Sequence, residues 1–206
     1  MASNQNLCGR IVKVHVVSFP EAATPPQLRR QVLDLQHETW PPGPGLAPPD
    51  NSLTHDPALH PQSLLLIDDG IVLAALDILT SHLSHAGRSY KAGGLSTVVT
   101  RRAQRGRGYG HHLVTVGHDV MATSTLDLGL FTCDRPLQSF YEAAGWHTLP
   151  GTVLIGGTPT APFPSDQPGF DKVTLGDFFT DAGRAHRASF ENARIELYPG
   201  DIDRLW

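Results

Sequence analysis

Residues 95–110 read LSTVVTRRAQRGRGYG, and this stretch decides the fold. The β-branched run from Leu95 to Thr100 predicts a strand, and the residues from His111 to Thr123 have the apolar spacing of a helix. Between them, glycines let the backbone approach a bulky anion, and the free N–H groups of the helix N-terminus point towards it. The stretch therefore predicts a phosphate-binding loop between a strand and a helix.

The glycine-rich loop differs from the common nucleotide-binding motifs. No Gly-Lys-Ser/Thr follows it, as a P-loop requires, and it comes after antiparallel strands rather than at the start of a Rossmann unit. Arginines at 101, 102, 105 and 107 can neutralise a pyrophosphate or a ribose phosphate. A solvated basic loop made flexible by glycine is the alternative, but the flanking strand and helix favour a pantetheine-linked nucleotide.

Upstream of the loop, the sequence predicts one helix and a series of antiparallel strands. Asp68-Asp69-Gly70 supplies the positive φ angles of a tight turn, and Ala86-Gly87 marks a second turn. From Pro41 to Pro61, seven prolines resist regular structure and predict a long surface loop. The predicted strands are Ile11–Phe19, Ser63–Ile67, Ile71–Leu79 and Leu95–Thr100, and the helix begins at Pro25-Pro26 and continues through Leu28, Val32 and Leu35.

Downstream of the loop, strands and helices alternate. Asp134 is the predicted N-cap of a helix with Pro136 in its first turn, and this helix ends at Gly145. No linker composition is visible, so residues 1–206 are expected to form one domain whose C-terminal strands complete the same sheet. The helix His111–Thr123 is predicted to bury Leu113, Val116, Val120 and Met121, and the predicted strands are Leu126–Phe131, Trp146–Ile155, Val173–Phe179 and Ala193–Tyr198, with a loop at 156–169.

The composition is that of an ordinary globular chain, with 206 residues, 40% of them hydrophobic and 17% charged, and a formal net charge of −4. This charge gives no reason to expect a nucleic-acid or membrane partner. Cys8 and Cys133 are too few for a disulfide framework or a cysteine zinc site. The N-terminus lacks the pattern of a signal peptide and no run of about 18 apolar residues occurs, so a soluble, cytoplasmic protein is expected.

The 11 histidines do not form a metal-binding motif. His111-His112 point different ways on a helix, and histidines 55, 60, 82 and 85 share no ligand spacing with a Cys/His/carboxylate set. We predict surface or helix-capping positions for them, and no bound metal.

Two segments resemble the GCN5-related N-acetyltransferases. Arg105-x-x-Gly108-x-Gly110 resembles the family's Arg/Gln-x-x-Gly-x-Gly/Ala signature, and the segment from Phe140 to Trp146, FYEAAGW, resembles its Leu/Phe-Tyr-x-x-x-Gly-Phe/Trp segment. The resemblance implies an α/β (α+β) fold with a mixed, mostly antiparallel sheet that splays near Leu95–Thr100 and is flanked by about four helices. It also implies acetyl-CoA as cosubstrate, a small-molecule amine as acceptor and, as is common in this family, a homodimer.

The resemblance also assigns roles at the cofactor site. Direct acetyl transfer to an amine needs a base, an oxyanion donor and an acid. The backbone of Val98–Thr100 is expected to pair with pantetheine and polarise the thioester carbonyl, and Tyr141 is the predicted acid because the family has a phenol near the sulfur. The predicted cofactor-binding residues are Val98, Val99, Thr100, Arg105, Gly106, Arg107, Gly108, Tyr109, Gly110, His111 and Phe140.

Within this superfamily, the sequence further resembles the aminoglycoside 2′-N-acetyltransferases, resistance enzymes, through residues 94–99, 128–132 and the segment PGDIDRLW at 199–206. In that family a C-terminal Trp and nearby acids line the acceptor pocket, which implies Trp206 with its α-carboxylate, and Asp201 or Asp203. Ser96 occupies the position of the family's acceptor-site glutamate, and the Pro-rich stretch 41–61 replaces two segments of the family. These differences fit a different acceptor such as kasugamycin. The predicted substrate-binding residues are Trp40, Asp56, Ser96, Thr132, Asp201, Asp203 and Trp206.

The general base and the acceptor stay open at the level of sequence. Asp56, Glu38, Asp203, Glu196 and the terminal carboxylate are the acids that can act as base, directly or through water. The alternative functions are acetylation of another small amine or of a protein N-terminus or lysine, and a CoA-binding module without turnover, because Ser96 removes the expected carboxylate.

Overall fold

The computed structural model describes residues 14–41 and 53–206, which form two β-sheets and four α-helices within those ranges. The strands are β1 His15–Pro20, β2 Gln62–Asp68, β3 Ile71–His85, β4 Arg88–Thr100, β5 Leu128–Asp134, β6 His147–Thr148, β7 Val153–Thr158, β8 Ala161–Pro164, β9 Lys172–Phe178 and β10 Arg194–Glu196. The helices are α1 Pro26–Thr39, α2 Tyr109–Ala122, α3 Gln138–Glu142 and α4 Asp181–Ala185.

The larger sheet has seven strands in the order β1-β2-β3-β4-β5-β9-β6, and the smaller has the order β10-β7-β8. Every pairing in the larger sheet is antiparallel except that of β4 with β5. The mixed, mostly antiparallel sheet flanked by helices confirms the predicted fold class.

Two tight turns build the central hairpins of the larger sheet. Asp69 and Gly70 have φ angles of 47° and 78°, and Ala86 and Gly87 have 48° and 74°. Two consecutive residues with positive φ form the type I′ turn, whose twist matches that of paired strands. Both predicted turns are confirmed, and β3 and β4 run further than predicted, up to the Ala86-Gly87 turn.

The sheet splays between β4 and β5. These parallel strands pair only at Ala92 with Leu128 and at Gly93 with Gly129, and beyond Gly93 they diverge. On its other side β4 stays paired with β3 as far as Thr100, although a register shift interrupts that ladder. The splay predicted near Leu95–Thr100 is therefore present and begins at Gly93.

Each face of the sheet is covered by one long helix. Val32 and Leu35 of α1 are buried on one face, whereas Leu113 and Val114 of α2 are buried on the other. Full burial of such a side chain stabilises the fold by about 1.5–3 kcal/mol. The same packing corrects one prediction, since Val120 of α2 is 41% exposed.

The C-terminal third departs most from the prediction. The run Trp146–Ile155 is not one strand, because residues 149–152 separate β6 in the larger sheet from β7 in the smaller. The predicted loop at 156–169 contains β8, which pairs with β7, and β10 joins the smaller sheet rather than the larger. Pro150 and Gly151, with φ of 66° at the glycine, break the run and redirect the chain.

Other differences are local. Asp134 precedes a short 3-10 turn but its side chain makes no capping hydrogen bond, because it pairs with Lys172 at 2.5 Å. The helix α2 begins at Tyr109, two residues before the predicted start. Cys8, the first residues of the predicted strand Ile11–Phe19 and the centre of the Pro-rich stretch lie outside the described residues. Within the described ranges, no helix has the length and apolar character needed to cross a membrane.

Candidate active site

A cavity of about 540 Å³ opens where β4 ends and α2 begins. Its wall combines the splayed strand, the glycine-rich loop and the start of α3. Every predicted cofactor-binding residue except Arg107 lines the cavity, and so does Tyr141, the predicted acid. The cavity is also lined by Thr39, Gln104 and Leu137, which were not predicted from the sequence. The lining residues are Thr39, Val98, Val99, Thr100, Gln104, Arg105, Gly106, Gly108, Tyr109, Gly110, His111, Leu137, Phe140 and Tyr141.

The glycines of the loop have distinct structural roles. Gly106 and Gly108 have φ angles of 78° and 80°, a left-handed conformation that disfavours side chains. Gly108 is the N-cap of α2 and offers no side-chain cap, so the first amides of the helix face the loop without a capping side chain. A Cβ at Gly110 would stand 2.7 Å from Oγ1 of Thr100. The helix N-terminus is therefore open to an anion and packed closely on the end of β4.

Two arginines near the loop make different contacts. Arg101 donates from Nε to the carbonyl oxygen of Val72 at 2.9 Å, which ties the end of β4 to β3. Arg105 is exposed, donates from Nε to the carbonyl oxygen of Thr100 at 3.1 Å and lines the cavity. Of arginines 101, 102, 105 and 107, Arg105 alone lines the cavity, so the expectation of a phosphate-binding arginine falls on it.

The splay leaves one edge of β4 available. Beyond Gly93, β4 has no strand partner on the β5 side among the described residues. Val98, Val99 and Thr100 line the cavity along this part of the strand. Backbone groups at an unpaired edge can accept and donate hydrogen bonds to an extended ligand that carries amides, as a strand partner would.

Tyr141 lines the cavity and is 7% exposed. Its ring packs edge to face on Phe131 and Phe140, with centroid distances of 5.1 and 5.0 Å. Burial, together with the thiol of Cys133 and the carboxylate of Asp134, raises the pKa of the phenol. The phenol therefore stays protonated across the neutral range, as a hydrogen-bond donor must.

The C-terminal segment fills the mouth of the splay. Trp206 donates from Nε1 to the carbonyl oxygen of Leu130 at 2.7 Å, and its backbone oxygen accepts from the amide of Thr132 at 3.3 Å. A Cβ at Gly94 would stand 2.5 Å from Nε1 of Trp206. The indole therefore lies between β4 and β5 on a glycine that leaves it room. A bulkier residue at position 94 would compete for that space.

Replacing Gly94 by alanine is expected to displace Trp206 from the splay, because the indole and the carbonyl oxygen of Leu130, 2.7 Å from the new Cβ, leave no room for a methyl group. We expect the KM for the predicted amine acceptor to rise by about tenfold and the Kd for the predicted cosubstrate, acetyl-CoA, to change by less than about twofold. Steady-state kinetics and calorimetry measure the two. The control is Gly117→Ala in α2, where the nearest atoms are 3.4 Å away. An unchanged KM for the amine in Gly94→Ala would contradict the placement of Trp206.

The predicted acceptor-side residues fall into three groups. Ser96 lies on β4 and Thr132 on β5, the two strands that splay, and Trp206 of the C-terminal segment lies between these strands. Asp201 and Trp40 are exposed. Asp56 and Asp203 lie together, since the amide of Asp56 donates to Oδ2 of Asp203 at 2.8 Å.

A buried polar cluster on this side was not found from the sequence. His55 is 2% exposed, so its predicted surface position is wrong. Its Nδ1 lies 2.5 Å from Oδ1 of Asp203, and its Nε2 lies 3.3 Å from Oδ2 of Asp77. Asp77 also accepts hydrogen bonds from the hydroxyls of Ser63 and Thr97, both at 2.5 Å. Asp77 stands in an apolar strand, and only its polarity within that run could have marked it in advance.

No group of three or more His, Cys, Asp or Glu within residues 14–41 and 53–206 is arranged to hold a metal ion. The His55 cluster instead contains hydroxyl donors and a backbone amide, which donate hydrogen bonds to its carboxylates.

Comparison with known proteins gives a consistent result. A family model described as acetyltransferase (GNAT) domain matches residues 28–149. An acyl-CoA N-acyltransferase from Pseudomonas aeruginosa superposes with a TM-score of 0.55 at 18% identity, over 79% of this chain and 98% of that chain. The GNAT family N-acetyltransferase YhbS from Escherichia coli, solved in complex with CoA, gives 0.53 at 15% identity over 90% and 89%. These identities show a shared fold. No curated protein matches the chain.

Proposed function

The chain belongs to the acetyltransferase (GNAT) family, and from this premise we propose that it transfers the acetyl group of acetyl-CoA to an amino group of an aminoglycoside-type antibiotic. The transferase activity and the cosubstrate are those of the family. The acceptor is our inference, with the 2′-amino group as the position and kasugamycin as a candidate. Such a reaction would confer resistance. The observation that supports it is the position of Trp206, whose indole lies between β4 and β5; the resemblance to 2′-N-acetyltransferases implies a C-terminal Trp at the acceptor pocket.

The cavity suits a pantetheine-linked nucleotide at both ends. At the loop, left-handed glycines and the open N-terminus of α2 present amides to a pyrophosphate, and Arg105 adds a positive charge. Along β4, the free edge at Val98–Thr100 suits the amides of a pantetheine arm. The residues present therefore fit acetyl-CoA.

In the reaction, a bond forms between the amine nitrogen and the acetyl carbon while the bond from that carbon to sulfur breaks. In this proposal, backbone amides near Val98 polarise the thioester carbonyl and Tyr141 donates its proton to the leaving sulfur; both residues line the cavity. The amine must lose one proton to become a nucleophile and a second after the bond forms. A carboxylate on the acceptor side, acting as a base directly or through water, would take one of these protons, and the other would pass to solvent.

Asp56 is the acid that best fits the acceptor side. The carboxylate of Asp203 is occupied by His55 and by the amide of Asp56, whereas Asp56 is only half-buried. Oδ1 of Asp56 accepts from the amide of Ala58 at 2.9 Å, and Oδ2 lies beside Gly200 of the C-terminal segment. A polycationic acceptor needs such carboxylates, because each ammonium group removed from water requires a compensating partner.

The test is release of free CoA by the purified protein from acetyl-CoA with a panel of amines: 2′-amino aminoglycosides, kasugamycin, polyamines and peptide amines. We expect turnover confined to the antibiotics, and Asp56→Asn is expected to raise the KM for the antibiotic by about tenfold at an unchanged Kd for acetyl-CoA. Turnover only on polyamines or peptides would replace the proposed acceptor. Tight acetyl-CoA binding without CoA release on any amine would favour a binding module.

A further inference from the structure

The His55 cluster connects three parts of the chain that are far apart in sequence. His55 itself lies in the C-terminal half of the Pro-rich stretch 41–61. Asp77 is on β3 and Asp203 is three residues before Trp206. The two carboxylates contact opposite nitrogens of the same imidazole, at 2.5 Å for Asp203 and 3.3 Å for Asp77. One ring therefore joins the sheet to the C-terminal segment.

The cluster reaches the part of β4 that faces the splay. The register of the β3–β4 ladder shifts between Ala75 and Asp77, as in a β-bulge. Two residues of β4, Thr97 and Val98, therefore stand opposite the single residue Leu76 of β3. Thr97 has a φ of 48°, which for a β-branched residue costs about 1–3 kcal/mol. The hydroxyl of Thr97 donates to Oδ2 of Asp77 at 2.5 Å and lies 3.4 Å from Nε2 of His55. The surrounding cluster thus holds the strained residue in place.

Trp206 and the cluster lie on the same face of β4. Gly94, whose Cβ position faces the indole, is two residues before Ser96, and Ser96 stands opposite Asp77 in the strand register. Residues two apart in a strand point to the same face. Leu95, between them, packs on α2 on the other face. Asp203 pairs with His55 and is three residues before Trp206, so the chain connects the cluster to the indole on this face.

We propose that His55 is a positioning residue for acetyl transfer, which as an imidazolium holds Asp203, and with it Trp206, against β4 in the arrangement that binds the acceptor amine. This role requires acetyl transfer between the splayed strands but does not depend on which amine accepts. His55 touches neither the cofactor cavity nor the acid Tyr141.

The charge state of His55 supports this role. Burial alone lowers the pKa of the imidazole, but the hydrogen bonds to Asp203 and Asp77 outweigh it and raise the pKa to about 9. Besides these two acids, Glu21 accepts from the amide of His55 at 3.4 Å and from Arg29 at 3.0 Å, and Asp56 is the next residue. Because the pKa is raised on folding, the stabilisation is complete below about pH 6.5 and is lost as the pH rises through about 9.

The first experiment needs no acceptor. It measures hydrogen exchange at the indole N–H of Trp206 and the amide of Thr132 in the wild type, in His55→Gln and in His118→Gln. His118 is the matched control, since its Nε2 pairs with Asp177 at 2.9 Å but it packs on Trp146, away from the C-terminal segment. We expect exchange to accelerate by about tenfold in His55→Gln alone. Equal exchange in all three proteins would overturn the proposal.

The second experiment compares the kinetics of wild type and His55→Gln between pH 6 and 10, with the amine that the CoA-release panel identifies. We expect an acceptor KM raised by about tenfold in the variant, and a Kd for acetyl-CoA within about twofold. The ratio of the two kcat/KM values, in which titration of the amine cancels, should fall towards 1 as the pH rises through about 9. A ratio constant with pH, or equal losses for amine and acetyl-CoA, would overturn the proposal.

A second variant covers the case in which His55→Gln does not fold. Asp203→Asn keeps the shape of the side chain and an acceptor for Nδ1 but removes one of the two charges that hold the imidazolium. It should show the same accelerated exchange at Trp206, to a smaller extent. Exchange as slow as in the wild type would contradict the role of Asp203. Silence of the protein on every amine would remove the proposed acceptor but leave the exchange result standing.

Discussion

Replacing Gly108 by valine is expected to raise the Kd for acetyl-CoA by about 100-fold, which corresponds to about 2.7 kcal/mol. Gly108 has a φ of 80° and is the N-cap of α2. A β-branched side chain disfavours that conformation, so the variant must either carry strain or turn the peptide groups of the loop away from the pyrophosphate. The first amides of α2 would then lose their common direction towards the anion. Isothermal titration of acetyl-CoA measures the change.

The control for backbone strain is Gly169→Val. Gly169 also has a φ of 80°, and at both glycines the position that a Cβ would occupy has no neighbouring atom within 4 Å among the described residues. Gly169 lies in the turn between β8 and β9, away from the cavity. We expect similar losses of thermal stability in the two variants but a changed Kd only in Gly108→Val. A Kd within threefold of the wild type would show that the loop does not hold the pyrophosphate.

The loop could be predicted from the sequence because its determinants are local. The strand, the three glycines and the helix lie within residues 95–123, and each glycine has its effect through its own backbone or its nearest neighbours. The type I′ turns at Asp69-Gly70 and Ala86-Gly87 are likewise set by two adjacent residues. Local chemistry was thus sufficient for the central hairpins and for the cofactor side of the cavity.

The acceptor side could not be predicted in the same way, because its contacts join distant residues. His55 meets Asp203 across 148 positions and Asp77 across 22. In the sequence, His55 lies within the Pro-rich stretch and looks like a surface residue, whereas Asp77 interrupts an apolar strand without a visible partner. Only the fold, which brings the C-terminal segment to β4, supplies the partners that make their burial tolerable.

The C-terminal third shows a second limit of the sequence pattern. The run from Trp146 to Ile155 is rich in strand-forming residues, and propensity alone favours a single strand. Its division follows from tertiary contacts: Trp146 is fully buried against Phe131, while β7 provides Gly156 and Gly157 where the backbone of Arg204 passes closely. The second sheet therefore supports the C-terminal segment through contacts that short-range patterns do not encode.

Replacing Tyr141 by phenylalanine is expected to lower kcat by about 100-fold, within the range of a lost general acid, and to leave the Kd for acetyl-CoA within about twofold. The ring packs on Phe131 and Phe140, and phenylalanine keeps that packing. In the proposed mechanism, what is lost is the proton donor to the sulfur, which must otherwise leave as a free thiolate. Because burial raises the pKa of this phenol, the proton is present throughout the neutral range, and the effect should not vary with pH between 6 and 9.

The matched control is Tyr90→Phe. Tyr90 is also buried, and within residues 14–41 and 53–206 its hydroxyl has no hydrogen-bond partner. It packs on Phe190, away from the cofactor cavity. Both variants then lose a hydroxyl from a buried aromatic ring. They differ in that only the Tyr141 hydroxyl is proposed to lie near the sulfur of acetyl-CoA. A lower kcat in Tyr141→Phe alone, measured by CoA release at saturating substrates, identifies the acid. An unchanged kcat would leave Tyr141 as a packing residue and would place proton donation to the thiolate with solvent.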